Sequence, residues 1–184
     1  MDLIGAGVDR GIYQVRDGID TFIAGKYSDA GVTYGSQTSA KQTSSGTIIQ
    51  HLAEFYETMT ENNIPLENRW IVLKPWMFTK LTLAGVNQES PNSDVFENGY
   101  IRNIVGFSRV FMSNNNTMLD TSVTTVMASS GDEAISFASA IDGDIRILPV
   151  EARRATNVDA LYVYGAKVVR PDMLATMYTA EVAN

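Results

Sequence analysis

The chain has 184 residues, 45% hydrophobic and 19% charged, enough for one sizeable core or two small lobes of an ordinary globular protein. It contains no cysteine, which excludes disulfides, thiol catalysis and cysteine-ligated metals. A net charge of −7 argues against a basic grip on nucleic acid, and no apolar run is long enough for a membrane-spanning helix.

Residues 1–27 predict one amphipathic helix. Met1, Ile4, Val8, Ile12, Val15, Ile19, Phe22 and Ile23 recur at steps of three and four and form one apolar stripe. Asp9, Arg10, Arg16, Asp17 and Asp20 lie off that stripe. Gly5, Gly7, Gly11 and Gly18 each cost such a helix up to ~1 kcal/mol relative to alanine, so packing from the rest of the fold or from another subunit has to hold it. Met1 already sits on the stripe, and the expectation is a chain that begins inside a larger protein. Residues 25–35 turn the chain, and 36–46 read as a polar loop. Thr47 and Gln50 have capping-box spacing. They open a second helix, with Ile48, Ile49, Leu52, Phe55, Tyr56 and Met59 on one face, which Asn62, Asn63 and Pro65 end. Asn68 to Pro75 is a buried-strand pattern, and Trp76 to Ala84 a short helix stopped by Gly85.

Residues 86–99 read as a surface loop. Tyr100 to Met112 predicts a strand, or a tight strand pair broken at Gly106; 113–117 is a turn and 121–128 a β-branched strand. Ser130 and Glu133 repeat the capping-box spacing and predict a helix through Ile135, Ala138 and Ile141, closed by a turn at Asp142 and Gly143. Ile145 to Val150 is a further strand whose Pro149 marks an edge, and 151–157 is a charged connector. The stretch Leu161 to Pro171 looks like the strand on which the rest is organised. Leu161, Val163 and Val169 on one side and Tyr162, Tyr164 and Val168 on the other are apolar, which predicts cover on both faces. A short helix or turn follows from Asp172. The class is α+β, with no internal repeat. The expected lobes are 1–45 together with 156–184, built from the two chain ends, and 46–155 inserted between them.

No motif assembles a reactive centre. Gly5, Gly7 and Gly11 superficially match a dinucleotide loop, but Arg10 stands where the third glycine belongs and too few residues precede it for a strand. The alternative is a row of small residues on a closely packed helix. Gly25-Lys26 lacks the Ser or Thr of a phosphate loop and reads as a helix end with a dipole-favoured lysine. His51, the only histidine, reads as a partly exposed helix residue. Glu54, Glu57 and Glu61 read as a solvated face, and Asp132, Glu133, Asp142 and Asp144 as caps and turns. Asn115-Asn116-Thr117 matches a glycosylation sequon but reads as a turn. Trp70 and Trp76 read as core or subunit contact. The expectation is a non-enzyme with no catalytic residue, cofactor or metal site.

Four stretches, in this order, resemble the major capsid protein of tailed bacteriophages, with the Hong Kong 97-type fold: Val8 to Gly31, Asn68 to Leu81, Asn98 to Asn114, and Leu161 to Pro171. The likeness covers nearly the whole chain. It implies a long spine helix, a peripheral domain and an inserted axial domain, and copies of itself as partners, closing as pentamers and hexamers into an icosahedral shell around DNA. It implies a virion location, assembly in the bacterial host cytoplasm, and scaffold and portal proteins as further partners. No sequence-specific nucleic acid and no membrane are expected as partners. The family's N-terminal arm and extended loop are not matched, so the 184-residue chain is expected to be a fragment that stays monomeric or forms small oligomers. The expected subunit contacts are Asp9, Arg10, Arg16, Asp17 and Asp20 on the helix, and Asn92, Asp94 and Glu97 in the 86–99 loop. The 36–46 loop is a further candidate for contact around symmetry axes. A bacterial nanocompartment shell shares every one of these patterns, and a nucleotide-dependent enzyme built on Gly5–Gly11 is the rival from another class.

Overall fold

A computed structural model describes residues 3–85, 96–97, 100–101, 104–120, 122–150 and 155–182. Helix α1 runs over Leu3–Ala24 and passes into a 3-10 turn at Gly25–Asp29, so the helix expected over 1–27 tightens at its end. Two short strands follow, β1 (Val32–Tyr34) and β2 (Lys41–Thr43), where turn and loop were expected. Their partner lies far away in sequence, which leaves no local signal. Helix α2 spans Ile48–Glu61 and buries Ile48, Leu52, Phe55 and Met59, while Ile49 is exposed and Tyr56 half-buried. Its expected capping box does not form. Thr47 makes no side-chain cap bond; its Oγ accepts from the Ser44 amide at 3.0 Å and donates to the Gln42 carbonyl at 3.3 Å. Strand β3 (Arg69–Leu73) and helix α3 (Pro75–Leu83) follow as expected, and Gly85 stops α3 with φ +83°.

Next come β4 (Phe96–Glu97), β5 (Tyr100–Ile101), β6 (Arg109–Met112), β7 (Met118–Leu119) and β8 (Val123–Ser130). The rest of the 86–99 loop lies outside the described residues, while β4 pairs antiparallel with β5. The break expected at Gly106 is a tight turn, with Val105 and Gly106 both at positive φ. Strands β9 (Ile135–Val150) and β10 (Ala155–Val168) then form a long antiparallel ribbon. The helix expected from Ser130 is therefore strand. Its apolar residues find a partner along β10, and Glu133 pairs with Arg170 at 2.9 Å without capping anything. The Asp142-Gly143 turn signal falls inside β9, at the first of two register shifts: the partners step from Leu161↔Asp144 to Val163↔Ile141, the signature of a bulge.

The organising strand is not Leu161 to Pro171 but β11 (Leu174–Glu181), placed where a terminal helix or turn was expected. Pro171–Met173 forms one 3-10 turn, and the chain then enters the middle of the main sheet, ordered β1-β11-β8-β3-β6. β11 pairs antiparallel with β8 from Leu174↔Ser129 to Ala180↔Val123, and in parallel with both β1 and β2. Its small and medium residues (Leu-Ala-Thr-Met-Tyr-Thr-Ala) suit a strand buried on both faces. By contrast β10 lies in a two-stranded ribbon, and Leu161, Val163 and Val169 are 51%, 42% and 58% exposed while Tyr162 and Tyr164 are half-buried and Val168 is buried, so only one of the two sets finds the expected cover. The lobe boundaries at 45/46 and 155/156 do not follow the strand pairing either. Strands β1, β2 and β11 share one sheet with β3, β6, β7 and β8, while β9 and β10 pair apart from it as the ribbon.

One face of the sheet presents Ile71, Leu73, Val110, Val126, Ala128, Ala175 and Met177 to α2 and α3, which answer with Leu52, Phe55, Met59, Met77 and Leu81. Burial of each large apolar side chain stabilises by about 1.5–3 kcal/mol. A second, small cluster of Ala134, Val168, Met173 and Leu174, flanked by Ala30, Trp70 and Ile135, knots the root of the ribbon. There Gly31 donates its amide to the Pro171 carbonyl at 2.8 Å, and a Cβ on Gly31 would meet that oxygen at 2.7 Å.

Candidate subunit-contact surface

Helix α1 crosses the other side of the molecule. Its last turns lie over the sheet face formed by Val72, Phe111 and Met127, the residues that alternate with the core set. They also lie against β10, where Phe22 meets Tyr164 edge-to-face at 5.6 Å. Tyr164 in turn contacts Phe137 at 6.2 Å and Tyr162 at 5.8 Å, and Lys26 Nζ stands 4.7 Å over the Phe22 ring. Such aromatic pairs are worth about 0.5–1.5 kcal/mol each beyond area. The stripe read from the sequence is real, but this chain does not bury it. Val8, Val15, Ile19 and Ile23 are half-covered, Ile12 is 37% and Phe22 39% exposed, and Tyr13 beside them is 72% exposed. With Phe137, Leu161 and Val163 of the ribbon, they make an apolar surface along the rod and the ribbon.

Gly7, Gly11 and Gly18 do not serve close packing inside this chain, since a Cβ on any of them would meet nothing within 4 Å; of the two expected sources of packing, this leaves another subunit. Of the expected contact residues, Asp9, Arg10, Arg16, Asp17 and Asp20 are all exposed on α1. Among the described residues no ion pair engages Asp9, Arg10, Arg16 or Asp20, whereas Asp17 accepts from Asn115 Nδ2 at 2.9 Å. Asn92 and Asp94 lie outside the described residues, and Glu97 is in β4, opposite Tyr100. The structure therefore gathers the five helix residues on one rod.

Polar chemistry is concentrated on the far side, where it holds the fold together. Tyr34 on β1 donates to the Glu54 carboxylate on α2, which also accepts from Gln50 at 2.8 Å. Burial, then Glu54, pushes the Tyr34 hydroxyl well above its usual range, and the Tyr34 bond, then Gln50, lowers the Glu54 carboxyl. His51 lies 3.1 Å from the Gln42 carbonyl and 3.5 Å from the Tyr34 hydroxyl. This cluster ties β1 and β2 to α2. Arg69, which the sequence reading passed over, is fully buried. Its guanidinium donates to the carbonyls of Pro65 at 2.8 Å, Ile64 at 2.5 Å and Tyr56 at 3.3 Å, and to the Thr60 hydroxyl at 2.9 Å, and it stacks 4.3 Å over the Tyr56 ring. It thereby ties the turn that follows α2 back to the helix. Among the described residues no group of three or more His, Asp or Glu could hold a metal ion.

No protein-family model and no curated protein matches this sequence. Solved structures do match in three dimensions. A chain of Mycobacterium phage Che8 superposes with a TM-score of 0.75 at 24% identity, over 94% of this chain and 62% of its own length. The mature capsid of bacteriophage PhiM1 gives 0.66 at 13% identity, over 100% of this chain and 66% of that one. The fold is that of tailed-phage capsid proteins. The same capsid fold is met in the holo-SrpI encapsulin complex of Synechococcus elongatus, with a TM-score of 0.65 at 12% identity over 100% of this chain and 68% of that chain. This chain thus spans about two thirds of the length of these capsid-fold chains.

Proposed function

We propose that the protein is the major capsid subunit of a tailed bacteriophage, a structural and non-enzymatic brick that self-assembles through pentamers and hexamers into an icosahedral shell enclosing phage DNA. The observation that carries this is the capsid fold combined with an apolar stripe on α1 and the ribbon that the chain itself leaves uncovered. Shell closure multiplies modest contacts between copies, so each interface can be weak alone. In this reading α1 and the β9–β10 ribbon are the peripheral part, and the main sheet with α2 and α3 is the axial part. Asp9, Arg10, Arg16 and Asp20 meet opposite charges on neighbouring copies, where exposed pairs worth at most ~1 kcal/mol set register more than strength. Asn92, Asp94 and Glu97 contact copies around the symmetry axes. A net charge of −7 leaves the inner wall non-adhesive to packaged DNA. Scaffold and portal proteins are its further partners, and the shell forms in the host cytoplasm.

The second reading is a nanocompartment shell, favoured by the match to the SrpI encapsulin complex at nearly the PhiM1 score. The contents of particles purified from the native source separate the two. Nuclease-protected double-stranded DNA supports the phage reading, and a protein cargo with no DNA overturns it.

A further inference from the structure

Asn115 stands on a rigid post. The Ser113 amide donates to the Leu73 carbonyl at 2.9 Å, the buried Asn116 donates its side-chain amide to the Val72 carbonyl at 2.8 Å, and the Asn115 amide donates to Ser113 Oγ at 3.1 Å. From this turn Asn115 Nδ2 reaches across to α1, 2.9 Å from Asp17 Oδ1 and 3.3 Å from the Asp17 carbonyl. Both atoms on α1 only accept, so the side chain at 115 must present an NH2. The same carbonyl also accepts the Thr21 hydroxyl at 2.9 Å.

The packing beside this bond is loose. No described side chain of α1 is buried. Two clefts of about 300 and 330 Å3 run under its last turns and share Ile23, Val72 and Phe111. Close packing therefore does not fix the height of α1 above the sheet. Its aromatic anchor, Phe22 on Tyr164, ties it to the ribbon and not to the sheet. The helix and ribbon both join the sheet through the knot around Gly31, Pro171, Ala134 and Met173.

We propose that the Asn115–Asp17 hydrogen bond is a release clasp that fixes α1 over the sheet. Broken, it lets α1 and the ribbon swing as one body about the knot, changing the depth of both clefts. A hydrogen bond to a carboxylate biases such an equilibrium roughly tenfold. The clasp is a property of the single chain and stands whether or not copies assemble into shells.

The absence of cysteine makes the test clean. Spin labels at Tyr13→Cys on α1 and Glu57→Cys on α2, both exposed, report the helix-to-sheet distance in the full 184-residue chain by double electron–electron resonance. With Asn115 present one narrow distance distribution is expected. Asn115→Asp sets carboxylate against carboxylate and should add a displaced population. The swap Asp17→Asn with Asn115→Asp restores the side-chain bond with the donor now on α1, though not the bond to the Asp17 carbonyl, and should reverse most of the displaced population. An Asn115→Asp distribution that superimposes on the parent overturns the clasp. So does a displaced population that the swap fails to reverse, or a loss of thermal stability with no displacement.

Discussion

At the scale of single residues, the fold depends on the buried Arg69 guanidinium and on the part-buried hydrogen bond from Tyr34 to Glu54. Arg69 has no carboxylate partner; backbone carbonyls and a hydroxyl take its guanidinium, and burial lowers its proton affinity. Arg69→Ala should cost about 3 kcal/mol or more in chemical denaturation, because it leaves a cavity and several unsatisfied carbonyls. Arg69→Lys should recover only part, since an ammonium cannot reproduce the fork. The Tyr34–Glu54 bond gives a pH dependence with two limbs. The Glu54 carboxyl is lowered in the fold, so its contribution is full above its ordinary value of 4.5 and is lost as pH falls through the lowered value. Tyr34 is raised in the fold, so its contribution is full below 10.0 and is lost as pH rises through the raised value. Melting curves across pH should therefore show Glu54→Gln flattening the acid limb and Tyr34→Phe flattening both. None of this was legible in the sequence, where Arg69 was one residue of a strand and Glu54 one of three acids on a helix. The partners of both lie on other elements.

At the scale of elements, periodicity was readable wherever an element packs on one side. The apolar residues of α2, the Gly85 stop of α3 and the stripe of α1 follow their patterns directly. The reading failed where long-range pairing decides. Ile135 to Ile141 carries spacing compatible with a helix, yet thirteen registered pairs with β10 hold β9 extended. Likewise β11, with small residues and no alternation, gives no period to read, though it is the strand that three others pair with. Glycine shows the same division. Gly106 is demanded locally: φ is +90° and an added Cβ would lie 2.7 Å from the Tyr56 ring, so Gly106→Ala should destabilise by about 1–3 kcal/mol in denaturation. Gly11 is demanded by nothing in this chain. Gly11→Ala should strengthen α1 by up to ~1 kcal/mol, seen as roughly fivefold slower hydrogen exchange of its amides in the unassembled protein.

At the scale of the whole molecule, the two sides of the sheet have different roles. One side is closed by α2 and α3 over a contiguous core. The other carries a rod and a ribbon with Tyr13, Phe22, Leu161 and Val163 in water. The candidate surface was partly legible, because the amphipathic period of α1 predicted a stripe that needs covering. That the described residues leave the stripe exposed was not, because exposure depends on how β9 and β10 pair away from the sheet. Substituting Leu161 and Val163 together with Ser should leave the melting temperature of the single chain within a few degrees, since both are already about half exposed, while weakening self-association. The most direct measurement is cryo-electron microscopy of particles formed when the full reading frame encoding this chain is expressed. Closed icosahedral shells are expected, with Ile12, Tyr13, Phe22, Leu161 and Val163 buried against a neighbouring copy. Closed shells that leave this surface in solvent, or a population that remains monomeric at every concentration, would contradict it.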